Sequence, residues 1–415
     1  MKCRFCSAPL QDVFLDLGCA PPSNAFLTAD ALDAPETSFP LKLFTCGKCR
    51  LVQVAEIKSH TDLFSPDYVY YSSFSTTWLA HAERYVKQAV GRLGLDARSL
   101  VMEVASNDGY LLQYVAASGI PCIGIEPTVG TAKVAQEKGI ETLCRFFGRQ
   151  FAEEFVRERR AADLIIANNV LAHVPDINDF AEGLRLALAT EGTVTAEFPH
   201  LMELVTKRQF DTVYHEHFSY FSFHTIQQIF AVHHLRVWDV EQLPTHGGSL
   251  RIWAGHERSG HAETPAVAAL LALEQRAGMR DAGFYQGFQA RADVVKDDCL
   301  MFLLEQRKAG RKVAAYGAAA KGNTLLNYAG VKPDLLHYVV DASPYKQGRY
   351  LPGSHIPVVS EAHLREDRPD YVLILPWNLR AEIMRQLCYI HEWGGQFATA
   401  VPALCLYSTD EIQES

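Results

Sequence analysis

The chain has 415 residues, 48% of them hydrophobic, and a formal net charge of −9. That length is too great for one ordinary core, so two or three globular domains are expected. The acidic balance, with no basic tract, excludes a general affinity for nucleic acid. The lack of any run of about 18 apolar residues excludes a transmembrane helix, and no membrane partner is expected.

The start, Met1-Lys2-Cys3-Arg4, has no apolar h-region and does not read as a signal peptide; a cytoplasmic protein is expected. Four of the ten cysteines form two CxxC pairs, Cys3 with Cys6 and Cys46 with Cys49. Each CxxC turn aims two thiolates at one point, and two turns complete a tetrahedral structural Zn²⁺ site with no open position. Pro21-Pro22 and short β-like runs such as 39–44 lie between the pairs, which suits a ribbon too small to fold without metal. A redox CxxC is the alternative, but neither pair sits at a strand-to-helix junction. The stretch Tyr68-Val69-Tyr70-Tyr71-Ser72-Ser73-Phe74 follows, either an interdomain seam or the lining of a cleft. Residues 81–93 have helical spacing.

Ser99 to Leu112 read as a buried strand, a tight polar turn and a helix, with Glu103, Ala105, Asn107, Asp108 and Gly109 at the turn. A second strand ends in Glu126-Pro127. In a doubly wound sheet, ligands sit at the carboxyl ends of strands, where this acid can accept ribose hydroxyls. No GxGxxG cradle is present, so the turn suits a ligand without a pyrophosphate, such as S-adenosylmethionine. A fourth strand runs into Asn168-Asn169-Val170-Leu171-Ala172-His173-Val174-Pro175-Asp176, and 192–199 form a fifth. This ordered set resembles class I S-adenosylmethionine-dependent methyltransferases.

After strand five comes Phe210-Asp211-Thr212-Val213-Tyr214-His215-Glu216-His217-Phe218-Ser219-Tyr220-Phe221-Ser222. It places a phenol, two imidazoles and a carboxylate within four residues, groups that move protons near neutral pH. If extended, Tyr214 and Glu216 share one face and the two histidines the other; in a loop, several can converge. A metal site is the weaker reading, because helical zinc sites space their histidines four apart. A packed aromatic loop is the bland one. Residues 224–234 read as a helix, and 237–240 with 249–254 as closing strands.

A long helical stretch, 265–310, leads to three buried runs, 313–316, 335–340 and 371–375, read as a second, smaller α/β sheet. Within it lies Tyr316-Gly317-Ala318-Ala319-Ala320-Lys321-Gly322-Asn323-Thr324. Lys321 at a helix start could hold a pyrophosphate, or equally tie a domain seam. The expected architecture is α/β throughout: a zinc-binding module (1–75), a Rossmann-like methyltransferase domain (76–255) and a smaller Rossmann-like α/β domain (256–415).

The paired CxxC module, the SNDG turn, the YHEHFSYFS loop and the AKGNT run together resemble the NDP-sugar C-methyltransferases along essentially the whole chain. The resemblance implies methyl transfer from S-adenosylmethionine to a ring carbon of a nucleotide-activated keto sugar, at C3 of a 4-keto-6-deoxysugar carried on dTDP or GDP. It implies that His217 is the base, with Tyr214, Glu216, His173 and Tyr70 as companions. Tyr68, Tyr70, Tyr71, Lys321 and Asn323 fall to the substrate. Glu103, Ala105, Asn107, Asp108, Gly109, Glu126, Pro127, Asn168 and Asn169 fall to the methyl donor. One departure is Ala105, where that family often has Gly, so its methyl group could crowd the donor. A methyltransferase acting on oxygen or nitrogen, or a non-catalytic sugar-nucleotide scaffold, are the other readings. A monomer or weak dimer is expected.

Overall fold

The computed structural model describes residues 1–55 and 71–408. The chain begins with an antiparallel meander of β1 (Asp12–Ala20), β2 (Phe39–Thr45) and β3 (Val52–Val54). The two CxxC segments make equivalent turns before β1 and between β2 and β3. In each, the first cysteine's carbonyl accepts from the amide four residues on, Ser7 (2.9 Å) and Arg50 (3.0 Å). Ser7 and Arg50 both take left-handed backbone angles (φ 58° and 62°), which curl the chain around the thiols.

A helix, Thr76–Leu93, opens the middle of the chain. The Ser75 side chain caps its first turn by accepting from the Trp78 amide, and a left-handed Gly94 ends it. Then come β4 (Val101–Val104), β5 (Cys122–Ile125), β6 (Thr142–Leu143), β7 (Ala162–Asn168) and β8 (Leu188–Pro199). After β8 the short β9 (Ser219–Tyr220) leaves this domain and pairs with β3 of the meander, Val52 opposite Tyr220 and Gln53 opposite Ser219. The chain returns through the helix Phe223–Val232 to β10 (Leu235–Leu243) and β11 (Ser249–His256). The seven-stranded order is β10-β11-β8-β7-β4-β5-β6. β11 runs antiparallel to both its neighbours, and the rest of the sheet is parallel. The loops after β4, β5, β7, β8 and β10 therefore emerge at one edge.

The helical stretch expected over 265–310 is two helices, Pro265–Arg276 and Phe288–Lys308. Gly287, at φ 73°, starts the second in a backbone state that side chains with a Cβ disfavour, so the helix cannot run through. The last sheet has six strands where three were expected. They are β12 (Val313–Tyr316), β13 (Val339–Val340), β14 (Val358–Val359), β15 (Tyr371–Ile374), β16 (Gln396–Thr399) and β17 (Cys405–Tyr407), ordered β14-β13-β12-β15-β16-β17. Only β17 is antiparallel to its neighbour. β12, β13 and β15 fall within the three expected runs, while β14, β16 and β17 are additional, β14 being two residues long and too short to show a period.

The amino-terminal meander is not a free-standing ribbon. Leu15, Leu43 and Val52 are fully buried in a core shared with Phe210, Val213 and Phe218 of the loop before β9 and with Phe288, Val313 and Leu326 of the last domain. Phe14 stacks on Phe288 at 4.7 Å between ring centroids. Each such aliphatic side chain contributes about 1.5–3 kcal/mol on burial, so metal is not the module's sole support.

The four cysteine sulfurs lie within 4.8 Å of one another, with Cys3 to Cys49 at 3.6 Å and Cys6 to Cys46 at 3.5 Å. Tetrahedral bonds of about 2.3 Å put thiolates close to 3.8 Å apart, so the set fits Zn²⁺. One zinc ion per chain is expected by elemental analysis. Cys46→Ser should lower that content and speed amide exchange over 217–221 more than over β4, because β9 hangs on the metal-bearing module. A metal-free chain with unchanged exchange in both segments would refute this.

Candidate active site

The 210–222 loop is not extended. A 3₁₀ turn at Phe210–Thr212 is followed by a second turn in which the His217 amide donates to the Tyr214 carbonyl (3.0 Å). Strict strand alternation therefore does not apply. The Tyr214 and His217 rings lie together at 3.9 Å, while His215 turns away and binds the Phe39 carbonyl of β2 through Nε2 (3.2 Å). That carbonyl can only accept, so His215 is spent on the meander. His217 Nδ1 lies 3.1 Å from the Thr212 carbonyl and must carry the proton there. Its Nε2 is left with the lone pair.

His173 follows β7 on a short 3₁₀ turn, and the Phe218 amide donates to the neighbouring Ala172 carbonyl (2.7 Å). This brings the His173 ring edge-on to His217 at 4.7 Å. Burial pushes His173 down to about 4, against a hydrogen bond to the Glu216 backbone. His217 is held well below the ordinary histidine value, first by burial, then by His173, with smaller effects from His246 and Lys321. Both imidazoles are neutral at pH 7.

Glu216 faces the meander, and both its oxygens accept from Asn24 Nδ2 (2.8 and 2.9 Å). Burial raises its carboxyl to about 7, with Asn24 pulling the other way. The last domain contributes from the opposite side. Trp377 Nε1 donates to the buried Asp211 carboxylate (2.7 Å), and Lys321 lies over the Trp377 ring at 4.6 Å and donates to Asn378 Oδ1 (2.9 Å). Burial lowers Lys321 to about 8 and raises Asp211 to about 6, each offset by the charge of the other. Asn323 is buried with its amide donating to the Ser23 carbonyl (2.6 Å), and Thr324 donates to the Val213 carbonyl (2.8 Å). These two act as ties between domains.

At the ends of β4 and β5, Ala105 (φ 55°), Asn107 (φ 50°) and Gly109 (φ 74°) are all left-handed, which wraps the turn tightly. The Ala105 conformation explains why glycine suits that position. Glu126 accepts from the Asn107 amide and the Thr128 amide, both at 2.9 Å, and burial raises its pKa. Burial, then the nearby Glu126 and Asp108, hold Glu103 well above the carboxylate range. Ser73 and Lys138 bind one oxygen of Asp108. The other Asp108 oxygen, Glu103 Oε2 and Asn168 Oδ1 are buried oxygens with no hydrogen-bond partner among the described residues. Such a set fits a ligand that brings donors, as an aminoacyl nucleoside does. Pro127 directly follows Glu126. Asn169 (φ 54°) donates its amide to the Glu197 carbonyl (2.7 Å) at the same edge.

Tyr71 stacks on Tyr345 at 5.7 Å, while Tyr68 and Tyr70 lie outside the described residues. The sequence reading missed Asn24, Trp377, Asn378 and a buried network on Glu197. That carboxylate binds His81 (2.9 Å), Arg251 (2.7 Å) and Thr245 (2.8 Å). Burial works to raise it, but His81 and Arg251 hold it down to about 2. None of these carries a local signal in the sequence.

Three family models match in succession. They describe a zinc binding domain over residues 3–64, a methyltransferase domain over 78–240 and a C-methyltransferase C-terminal domain over 244–402. Among solved structures, the PH0226 protein from Pyrococcus horikoshii OT3 is 13% identical, covering 45% of this chain and 94% of its own, with a TM-score of 0.37. Magnesium protoporphyrin IX methyltransferase from Synechocystis PCC 6803 is 15% identical over 42% of this chain and 81% of its own, with a TM-score of 0.34. The C-methyltransferase NovU from Streptomyces niveus is 34% identical over 404 residues, 97% of this chain and 95% of its own. The chain therefore belongs to the C-methyltransferase family that includes NovU, and it is an S-adenosylmethionine-dependent C-methyltransferase with a zinc-binding module.

Proposed function

We propose that the protein methylates the carbon next to the ketone of a nucleotide-linked keto-deoxysugar, C3 of a 4-keto-6-deoxysugar carried on dTDP or GDP. His217 removes the proton from that carbon. The observation that carries this reading is the commitment of Nδ1 to the Thr212 carbonyl. It fixes the tautomer and leaves a neutral Nε2 lone pair among the Tyr214, His173 and Tyr220 rings.

Glu126, Asn107, Asp108 and Asn168 hold the methyl donor. When bound, S-adenosylmethionine supplies an electrophilic methyl group. The chain's own task is to make the acceptor carbon nucleophilic. A proton beside a ketone is acidic only if the enolate is stabilised as it forms, and the Tyr214 phenol donates to it. Burial keeps water from returning a proton to the carbanion. Lys321, the cation beside His217 and Asp211, serves the anionic substrate. Glu216 accepts from a sugar hydroxyl alongside Asn24, since its carboxylate turns away from the imidazoles. Tyr71 and the exposed rings of Phe74 and Tyr345 form an aromatic cluster on which the nucleobase stacks.

Glu126→Ala should weaken S-adenosylhomocysteine binding by about 1–3 kcal/mol, the usual worth of hydrogen bonds to a charged group. Calorimetry with unchanged affinity would move the ribose site elsewhere.

His217→Asn should lower methylation by about 10²–10⁴-fold while both ligands still bind. With a keto-sugar nucleotide and S-adenosylhomocysteine in deuterated water, NMR should show carbon-bound proton exchange in the wild type and none in the variant. Equal exchange in both would assign the base elsewhere.

Protonation disables the base, and a depressed pKa moves that loss to lower pH. The acid limb of kcat/KM should thus fall below the ordinary histidine value of about 6.5. Because Glu216 itself titrates at about 7, the profile is read in Glu216→Gln, where a limb centred at or above 6.5 would contradict a shielded His217.

A further inference from the structure

The loop from β10 to β11, Thr245-His246-Gly247-Gly248, presents a histidine that the chemistry above does not use. His246 is left-handed (φ 54°), a state that residues with a Cβ disfavour. The loop is pinned on several sides. The Gly247 carbonyl accepts from Gln209 Nε2 (2.9 Å) and Lys207 Nζ (3.2 Å), and the Gly248 carbonyl accepts from the His200 amide (3.0 Å). A β-carbon at Gly247 would overlap the Trp377 indole and the Gln209 amide. The His246 ring rests against Trp78 at 5.3 Å.

In this fixed setting His246 Nε2 is closed off from solvent and has no hydrogen-bond partner among the described residues. An unmet buried nitrogen on a strained residue is a feature that functional sites retain and that a ligand completes. The ligand is indicated by what surrounds it. His246 lies within electrostatic reach of His217, and Lys321 acts on both. Gly247, next to His246, abuts the Trp377 indole on which Lys321 rests at 4.6 Å, so this nitrogen and the cation lie at the same carboxyl edge of the sheet as the base.

We propose that His246 Nε2–H donates a hydrogen bond to the substrate's keto oxygen and stabilises the enolate formed when His217 takes the adjacent proton. The proposal rests on the keto-sugar reading above. The C–H electron pair moves into the enolate, the proton goes to His217 Nε2, and His246 keeps its own proton throughout. Burial and the charge of Lys321 hold His246 down to about 4. It therefore acts as a neutral imidazole, which can polarise a carbonyl without transferring a proton.

The test compares wild type, His246→Phe and His246→Gln with a dTDP-linked 4-keto-6-deoxysugar. His246→Phe should lower kcat by about 10²–10³-fold, the loss seen when one oxyanion donor is removed. Deuterium exchange at the substrate carbon should slow in parallel, with S-adenosylhomocysteine affinity and melting temperature unchanged. His246→Gln keeps an N–H and should recover a large part of both rates. The proposal is overturned if His246→Phe matches the wild type. It is overturned equally if rates fall only together with S-adenosylhomocysteine affinity and thermal stability. A wild type that neither exchanges nor methylates any keto-sugar nucleotide would instead overturn the functional reading itself.

Discussion

The reactive loop has almost no regular structure of its own, and all three parts of the chain hold it in place. The meander supplies the β3–β9 ladder, the Val54 amide to the Phe218 carbonyl (3.1 Å), Asn24 to Glu216 and Phe39 to His215. The methyltransferase sheet supplies the Ala172 carbonyl to Phe218 and the Leu201 amide to the Phe221 carbonyl (3.0 Å). The last domain supplies Thr324 to Val213 and Trp377 to Asp211. A buried loop must find partners for its backbone groups, and here they come from three directions. Catalytic geometry and domain arrangement are thus one problem with one solution.

The metal site takes its meaning from this. Gln53 pairs with Ser219 in the ladder, and its side-chain amide donates to Cys3 Sγ (3.2 Å). The Cys49 carbonyl accepts from Thr225 (3.1 Å) in the helix that follows the loop. A single residue therefore separates the thiolate cluster from the strand next to His217. Hydrogen bonds to ligand atoms orient a metal site, and in this chain the same bonds run outward to the reactive loop. Glu274 secures the loop's far end, accepting from the His200 ring (2.7 Å) and from the Phe223 and His224 amides (2.6 and 2.8 Å).

Enclosure also sets the chemistry. Burial lowers His217, His173 and His246, so all three imidazoles stay neutral at pH 7 beside the Lys321 cation. An imidazole that stays neutral can accept a proton at pH 7, whereas one paired with a carboxylate would already hold it. Turning Glu216 toward Asn24 achieves that separation although the two residues are adjacent in sequence.

What the sequence determined by itself was whatever depends on local spacing. The two CxxC pairs specify a four-thiolate site, because a CxxC turn closes over a few bonds. The buried runs at 101–104, 162–168 and 313–316 specify strands, because β-structure with both faces covered is continuously apolar. The polar turn after β4 and the acid after β5 were legible for the same reason, as was the reactive character of the 210–222 stretch. Tertiary structure decided which of its side chains meet. The Tyr214 turn replaced strand alternation and put the two histidines on different partners, a carbonyl five residues back for His217 and one in β2 for His215. Strand β9, two residues long, exists only because β3 offers an open edge. Asn24, Trp377 and the orphaned nitrogen of His246 were invisible in sequence, since their roles depend on contacts more than 100 residues distant or on a partner that is not protein. Local chemistry is written in neighbours along the chain; convergence is written in the packing that folds distant neighbours together.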